Sequence, residues 1–380
     1  MAQFEMVGKL NIAKDGEKRK AFDEIRYKKG SVKKDGSKRA NDFVMRTLRL
    51  TMETGEDFFN VRIQGNLNGT EDTAKVFSLA KNTEGDYEPI EFKYKDREDY
   101  INDLAEFKKF IFVDGDERFE FVNEYEYSMF VYDKLKTGDY KDKIFKIKGE
   151  MIFSNYTNPK TNEESTFVNY EVSRIYVGTN DDLEQIATAN MNVMLGQNCI
   201  DDSRLNEEGL LVINGYVTQY ESKEQPNKGY YTTFEFPMNV EDEAKMKRKA
   251  ELISSKMELP EDKELGTMPF KVKLINRVQK VSFNEEMLTD EDREMIELGI
   301  MTMADFEHEY GNGTGGRITK YEVIRLPKGK MGIVPSELAI ADILKDVKKE
   351  QQVPVQQDLD IDLDNRSEDL EDEFADVFGD

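Results

Sequence analysis

Apolar and polar residues alternate with period two along most of the first seventy positions. "FEMVGKLNI", "FVMRTLRLTM" and "FFNVRIQG" each read as a half-buried strand, separated by Gly, Asp and Asn turn chemistry. "EYEYSMFVYDKLKTG" shifts to helical spacing and closes on a glycine, which predicts a short helix. "KIFKIKGEMIFSNY" and "STFVNYEVSRIYVG" then predict a hairpin. Helical patterns return at 240–258, stopped before Pro260, and after Thr289, where Asp292 completes a capping-box signal. A further helix is predicted after Pro335, with a stripe of Leu338, Ala341, Leu344 and Val347.

Parts of the pattern recur. Ile147-Lys-Gly149 leads to Tyr156, and Ile213-Asn-Gly215 leads to Tyr220. A polar loop follows each, then "TFVNYEV" and "YYTTFEF", which match Tyr170-Glu171 with Phe234-Glu235. Later, "KYEVIRL" at 320–326 echoes "NYEVSRI" at 169–175. Short β-rich units with long hairpins and an inserted helix fit Greek-key barrels of the oligonucleotide-binding (OB) type. The expected fold is therefore mainly β with inserted helices, an α+β chain of two or three such barrels. The expected boundaries are a first barrel over 1–180, a second over 181–335, a helix over 336–350, and a linker with an acidic tail over 351–380.

Alternation also sorts the faces. Phe145, Ile147, Met151 and Phe153 point to one side and turn Lys146, Lys148 and Tyr156 to the other. Val168, Tyr170 and Val172 point inward, which leaves Phe167 outward. Leu211, Ile213 and Val217 turn Tyr216 and Tyr220 outward, while Phe234 and Phe236 do the same for Tyr231. Phe270, Val272 and Leu274 turn Lys271, Lys273 and Arg277 outward. Rings and cations on one polar face suit single-stranded nucleic acid, because each base stacks on a ring while cations neutralise phosphates.

Charge sharpens this picture. The net charge is −24, yet residues 1–50 carry fourteen Lys/Arg against seven Asp/Glu. Residues 356–380 carry eleven acids and one base. The stretch 27–40 supplies Lys33, Lys34, Lys38 and Arg39 on what its Gly and Ser content predicts to be a flexible loop, with Arg62 on a neighbouring strand. Catalytic material is scarce. With one cysteine (Cys199) and one histidine (His308), the chain has no internal disulfide, no Cys/His zinc site and no basis for a His-dependent triad. "GNGTGG" lacks the Gly-Lys-Ser/Thr of a phosphate loop. A non-enzymatic role with no cofactor or metal is expected. The start lacks the apolar core of a signal peptide, which predicts a cytoplasmic protein.

The barrel-like repeats, the Lys-rich segment "GDYKDKIFKIKGEMIFSNY" and an acidic tail ending in "DEFADVFGD" resemble single-stranded-DNA-binding proteins of bacteria and their phages. The resemblance implies coating of single-stranded DNA in phage replication or recombination. It also implies that the tail recruits replication or repair proteins, with Phe374, Asp376 and Phe378 as the docking residues. The chain departs from the familiar bacterial tip, which ends on Pro-Phe, because Gly379-Asp380 follow Phe378. The competing expectation is a virus-particle assembly protein that uses β-barrels as docking modules.

Overall fold

The computed structural model describes residues 2–344 apart from 17–18, 34–35, 83, 158–163, 179–183, 241, 281–287, 304–313 and 327–331. The first half contains β1 (Ala2–Ile12), β2 (Phe22–Tyr27), β3 (Phe43–Thr54), β4 (Asp57–Asn68), β5 (Lys75–Lys81) and β6 (Tyr87–Lys93). Helix α1 (Arg97–Tyr100), β7 (Phe110–Asp114), β8 (Glu117–Phe121), α2 (Glu124–Leu135), β9 (Ile144–Thr157) and β10 (Glu164–Val177) complete it. The second half contains β11 (Ala187–Gly196), β12 (Ile200–Asp201), α3 (Leu205–Glu208), β13 (Leu210–Gln219), β14 (Lys228–Pro237) and α4 (Glu243–Lys256). It ends with β15 (Leu265–Lys280), α5 (Asp290–Glu297), β16 (Thr314–Arg325), β17 (Val334–Pro335) and α6 (Ile340–Leu344). Fifteen strands join in one mixed sheet, and β5–β6 form a separate hairpin.

The pairings trace two circuits of the same design. In the first, β1 pairs antiparallel with β3, β3 with β4, β4 in parallel with β10, β10 with β9, and β9 again with β1. In the second, β11 pairs with β13, β13 with β14, β14 in parallel with β16, β16 with β15, and β15 again with β11. Each circuit places its main helix, α2 or α4, between its third and fourth strands. Inward-pointing side chains make one core that includes Phe59, Phe145, Ile147, Ile213, Phe234 and Phe270, the faces that alternation predicts.

Strands β1 and β11 join the circuits edge to edge. Phe4 lies opposite Ala189, with Gln3 opposite Asn190 and Glu5 opposite Thr188. Within the circuits, Phe4 pairs with Gly149, which faces Val172, while Ala189 pairs with Val272, which faces Val323. Phe4 and Ala189 therefore hold the same position in their own circuits and also face each other. A pseudo-twofold relation between the halves passes through this pair. Flanking contacts obey it in kind. The Asn276 amide on β15 donates to Phe58 O at 2.6 Å, at the β3–β4 turn. The Phe153 N–H on β9 donates to Gln219 Oε1 at 2.9 Å, at the end of β13.

The echo between 169–175 and 320–326 marks strands β10 and β16, which are topological counterparts. The longer repeat in the sequence does not. It matches hairpin β9–β10, the fourth and fifth strands of one circuit, with β13–β14, the second and third of the other. Phe167 and Tyr231 are therefore not equivalent positions, and alternation alone produced the match.

Residues 69–123 form an insertion whose strands the sequence pattern did not announce. It has a satellite core of Val76, Phe92, Tyr94 and Leu104 packed against Leu67 and Tyr125. Helix α2 seats closely on β4 at Gly65, where a Cβ would fall 2.1 Å from the Tyr125 nitrogen. Helix α2 starts at Asn123, whose side chain caps Glu126 N. The Thr289–Asp292 capping box of α5 is present as predicted.

Candidate nucleic-acid interface

The first circuit offers an outer surface built on β2, β3 and β4. Tyr27 and Phe43 are cross-strand neighbours with ring centroids 6.1 Å apart. The Arg39 guanidinium lies over both, 4.3 Å from one centroid and 4.7 Å from the other. Residues 28–33 and 36–39 pair through hairpin-type backbone hydrogen bonds. Gly30 N–H donates to Arg39 O and Arg39 N–H to Ser31 O, both at 2.9 Å, and Lys33 N–H donates to Ser37 O at 2.8 Å. Gly36 takes a positive φ of 77°, and its N–H donates to Lys33 O at 2.9 Å. Lys33 and Lys38 are exposed in this stretch, and Lys34 falls outside the described residues.

Beside the hairpin, β4 presents Asn60, Arg62, Gln64, Asn66 and Asn68 outward at period two. Sequence reasoning took only Arg62 from this row. The signal was present in "NVRIQGNLN", but a search for rings and cations passes over amides. Tyr27 and Phe43 escaped because they stand at strand ends, Tyr27 closing β2 and Phe43 opening the "FVMRTLRLTM" run. Arg62 itself is half-buried and bonded to Glu171 at 2.6 Å.

In the second circuit, Tyr231 and Tyr220 stay more than half exposed, each at 55%. The Tyr231 hydroxyl donates to Asn214 Oδ1 at 2.9 Å, and its ring meets Tyr216 edge-on at 5.7 Å. Tyr216 departs from expectation. It packs with Leu338 and Ile340 onto a cluster of Met194, Leu265 and the fully buried Ile343 of α6. Gly229 makes room for that helix, since a Cβ there would approach Ile343 to 3.0 Å. Alternation identified the outward side of β13 but not the C-terminal segment that returns to cover part of it.

At the end of hairpin β9–β10, Tyr156 and Phe167 are half-buried and contact each other edge-on at 5.9 Å. Several predicted cations already have carboxylate partners. Lys146 and Lys148 each reach Glu5 at 2.8 Å, and Arg277 pairs with Glu56. Burial alone would raise the Glu5 carboxyl, but the hydrogen bonds and charges of the two lysines hold it below its ordinary value. Lys271 is exposed and Lys273 half-buried on the same face. The structure thus divides the predicted residues between the two circuits rather than bringing them into one groove.

One acidic block interrupts this surface. Glu150 lies directly opposite Glu171, and burial raises the Glu171 carboxyl against the opposing effect of Arg62. Burial also pushes Glu124, the first residue of α2, up to about 7, and the charges of Glu171 and Glu150 add to the effect.

Among the described residues no group of His, Cys, Asp and Glu is arranged to hold a metal ion, and no helix is long and apolar enough to cross a membrane. The tail residues Phe374, Asp376 and Phe378 lie outside the described residues. A scan against protein-family models finds no match, and a search of curated proteins finds no significant relative, so the reading of this interface rests on the chain's own geometry.

Proposed function

We propose that the chain binds single-stranded DNA with little sequence preference, as two OB-type barrels joined through their first strands. The observation that carries the reading is the pairing order, first–second–third–fifth–fourth in both circuits, with a parallel third–fifth contact. With a helix between the third and fourth strands, this is the connectivity of the oligonucleotide-binding Greek key. On this reading the barrels span about 1–180 and 181–335.

Tyr27, Phe43, Tyr220 and Tyr231 serve as stacking platforms. Arg39, Lys33 and Lys38 on the hairpin, with the amide row of β4, follow the backbone. No cofactor or catalytic step is involved. The acidic tail recruits partner proteins in phage DNA replication or recombination, through Phe374, Asp376 and Phe378.

Fluorescence anisotropy of labelled oligo-dT across a salt series, with duplex DNA in parallel, tests the proposal. The intact chain and a version ending at Gln357 are compared. The expected result is preference for the single strand, weakening with salt, and tighter binding without the tail. Absence of binding by both versions overturns it.

A further inference from the structure

At the junction of the circuits, Gln3, Asn190, Asn192, Lys271 and Arg325 surround an open hollow of about 370 Å³. Pro269 and Leu326 add apolar surface beside them. Lys271 and Arg325 are cross-strand neighbours on β15 and β16, and both are exposed. Neither makes an ion pair with a described residue.

The pseudo-twofold relation gives this pair a counterpart. Lys148 faces Arg174 on β9 and β10, as Lys271 faces Arg325. Each arginine follows a break in strand register, with Ser173 as the extra residue in one half and Ile324 in the other. The neighbouring strand decides the outcome. Glu5 lies opposite Lys148 and bonds to it at 2.8 Å, whereas Asn190 lies opposite Lys271. Arg174 donates to the Glu106 carbonyl at 2.9 Å. One Lys–Arg pair is thus satisfied from within, and the exchange of a carboxylate for an amide leaves the other without a carboxylate partner among the described residues.

We propose that the Lys271–Arg325 hollow is a nucleotide subsite that holds a backbone phosphate of the bound single strand. Asn190, Asn192 and Gln3 supply hydrogen bonds there, and Pro269 with Leu326 supply a surface for the sugar or base. Two adjacent cations with no ion-pair partner among the described residues suit a phosphodiester, and the amides serve as donors and acceptors without adding charge. The inference rests on the single-strand reading and extends it to the junction, away from the β3–β4 and β13–β14 surfaces.

The test compares the full-length chain with Asn190→Glu, Lys271→Ala/Arg325→Ala and Glu5→Asn on oligo-dT across a salt series. Asn190→Glu copies the arrangement around Lys148 and is expected to weaken binding roughly tenfold. The double alanine variant is expected to flatten the log–log salt slope by about 0.7, the contribution of one phosphate. Glu5→Asn frees Lys146 and Lys148 and is expected to strengthen binding. These substitutions lie on the outer face, and unchanged thermal melting of each variant verifies the fold.

If the wild type binds oligo-dT and none of the variants alters affinity or slope, the subsite is overturned while the single-strand reading stands. If the wild type does not bind the strand, the reading itself fails. Thymidine monophosphate is titrated in parallel. Its binding through Lys271 and Arg325, with oligo-dT affinity unaffected by their loss, would overturn the assignment to a strand.

Discussion

Glu150 and Glu171 face each other directly across hairpin β9–β10, two carboxylates in register where an antiparallel pair ordinarily places complementary groups. Arg62 bonds to Glu171, and Glu124 lies close enough to feel both charges.

This arrangement predicts a specific pH dependence. The Glu124 carboxyl rises from 4.5 to about 7 on folding, so the folded chain holds a proton that the unfolded chain releases. Linkage then requires the stability from this group to be present below about pH 4.5 and lost as pH rises through 7. Relative to wild type, Glu124→Gln should be neutral near pH 4.5 and more stable by about 1–3 kcal/mol at pH 8. Thermal melting of both proteins across pH 4.5–8 checks this. A constant offset would remove the assignment.

Gly149 is, with Gly8, one of the two tightest glycines of the first circuit. A Cβ there would fall 1.8 Å from the Glu171 carbonyl oxygen and 2.9 Å from the Phe4 ring. Gly149→Ala forces the β9 and β10 backbones apart and crowds the Phe4 ring, and should cost roughly 3 kcal/mol or more. Urea denaturation measures the loss. An unchanged midpoint would mean that β9 and β10 yield freely.

The two neighbouring tyrosines of the second circuit should separate by role. Tyr231→Ala should weaken oligo-dT binding by about 1–3 kcal/mol, the value of one stacked base, with little change in melting. Tyr216→Ala should do the reverse, because its ring packs against the C-terminal segment. Equal effects on binding would place both rings against DNA.

Ile343 fastens that segment to the body. Gly229→Val fills the space beneath it and should release residues 332–344 while leaving the circuits folded. Limited proteolysis should cut the variant in this stretch and spare the wild type. Cleavage of both at equal rates would show that the contact is not closed in solution.

Core faces were legible in the sequence because burial writes itself at period two: Phe145, Ile147, Ile213, Phe234 and Phe270 all point where alternation puts them. Helices α2, α4 and α5 were legible from caps and stops. What escaped was non-local. Nothing in the spacing of Lys148 reveals that Glu5, far away in sequence, lies across from it, nor that Ile343 returns to cover Tyr216. The circuits themselves were visible only in the short echo of "YEVSR" and "YEVIR", while a longer match produced by alternation pointed to the wrong strands.

Joining two similar halves in one chain has a consequence for direction. Two identical subunits about a dyad present the same chemistry in opposite senses, so a strand running one way meets the same surface as a strand running the other. Here Glu5 and Asn190 differ, although they hold matching places beside Phe4 and Ala189. That difference helps make the junction polar, and on the proposed reading a strand with a 5′ and a 3′ end would cross it in two inequivalent ways.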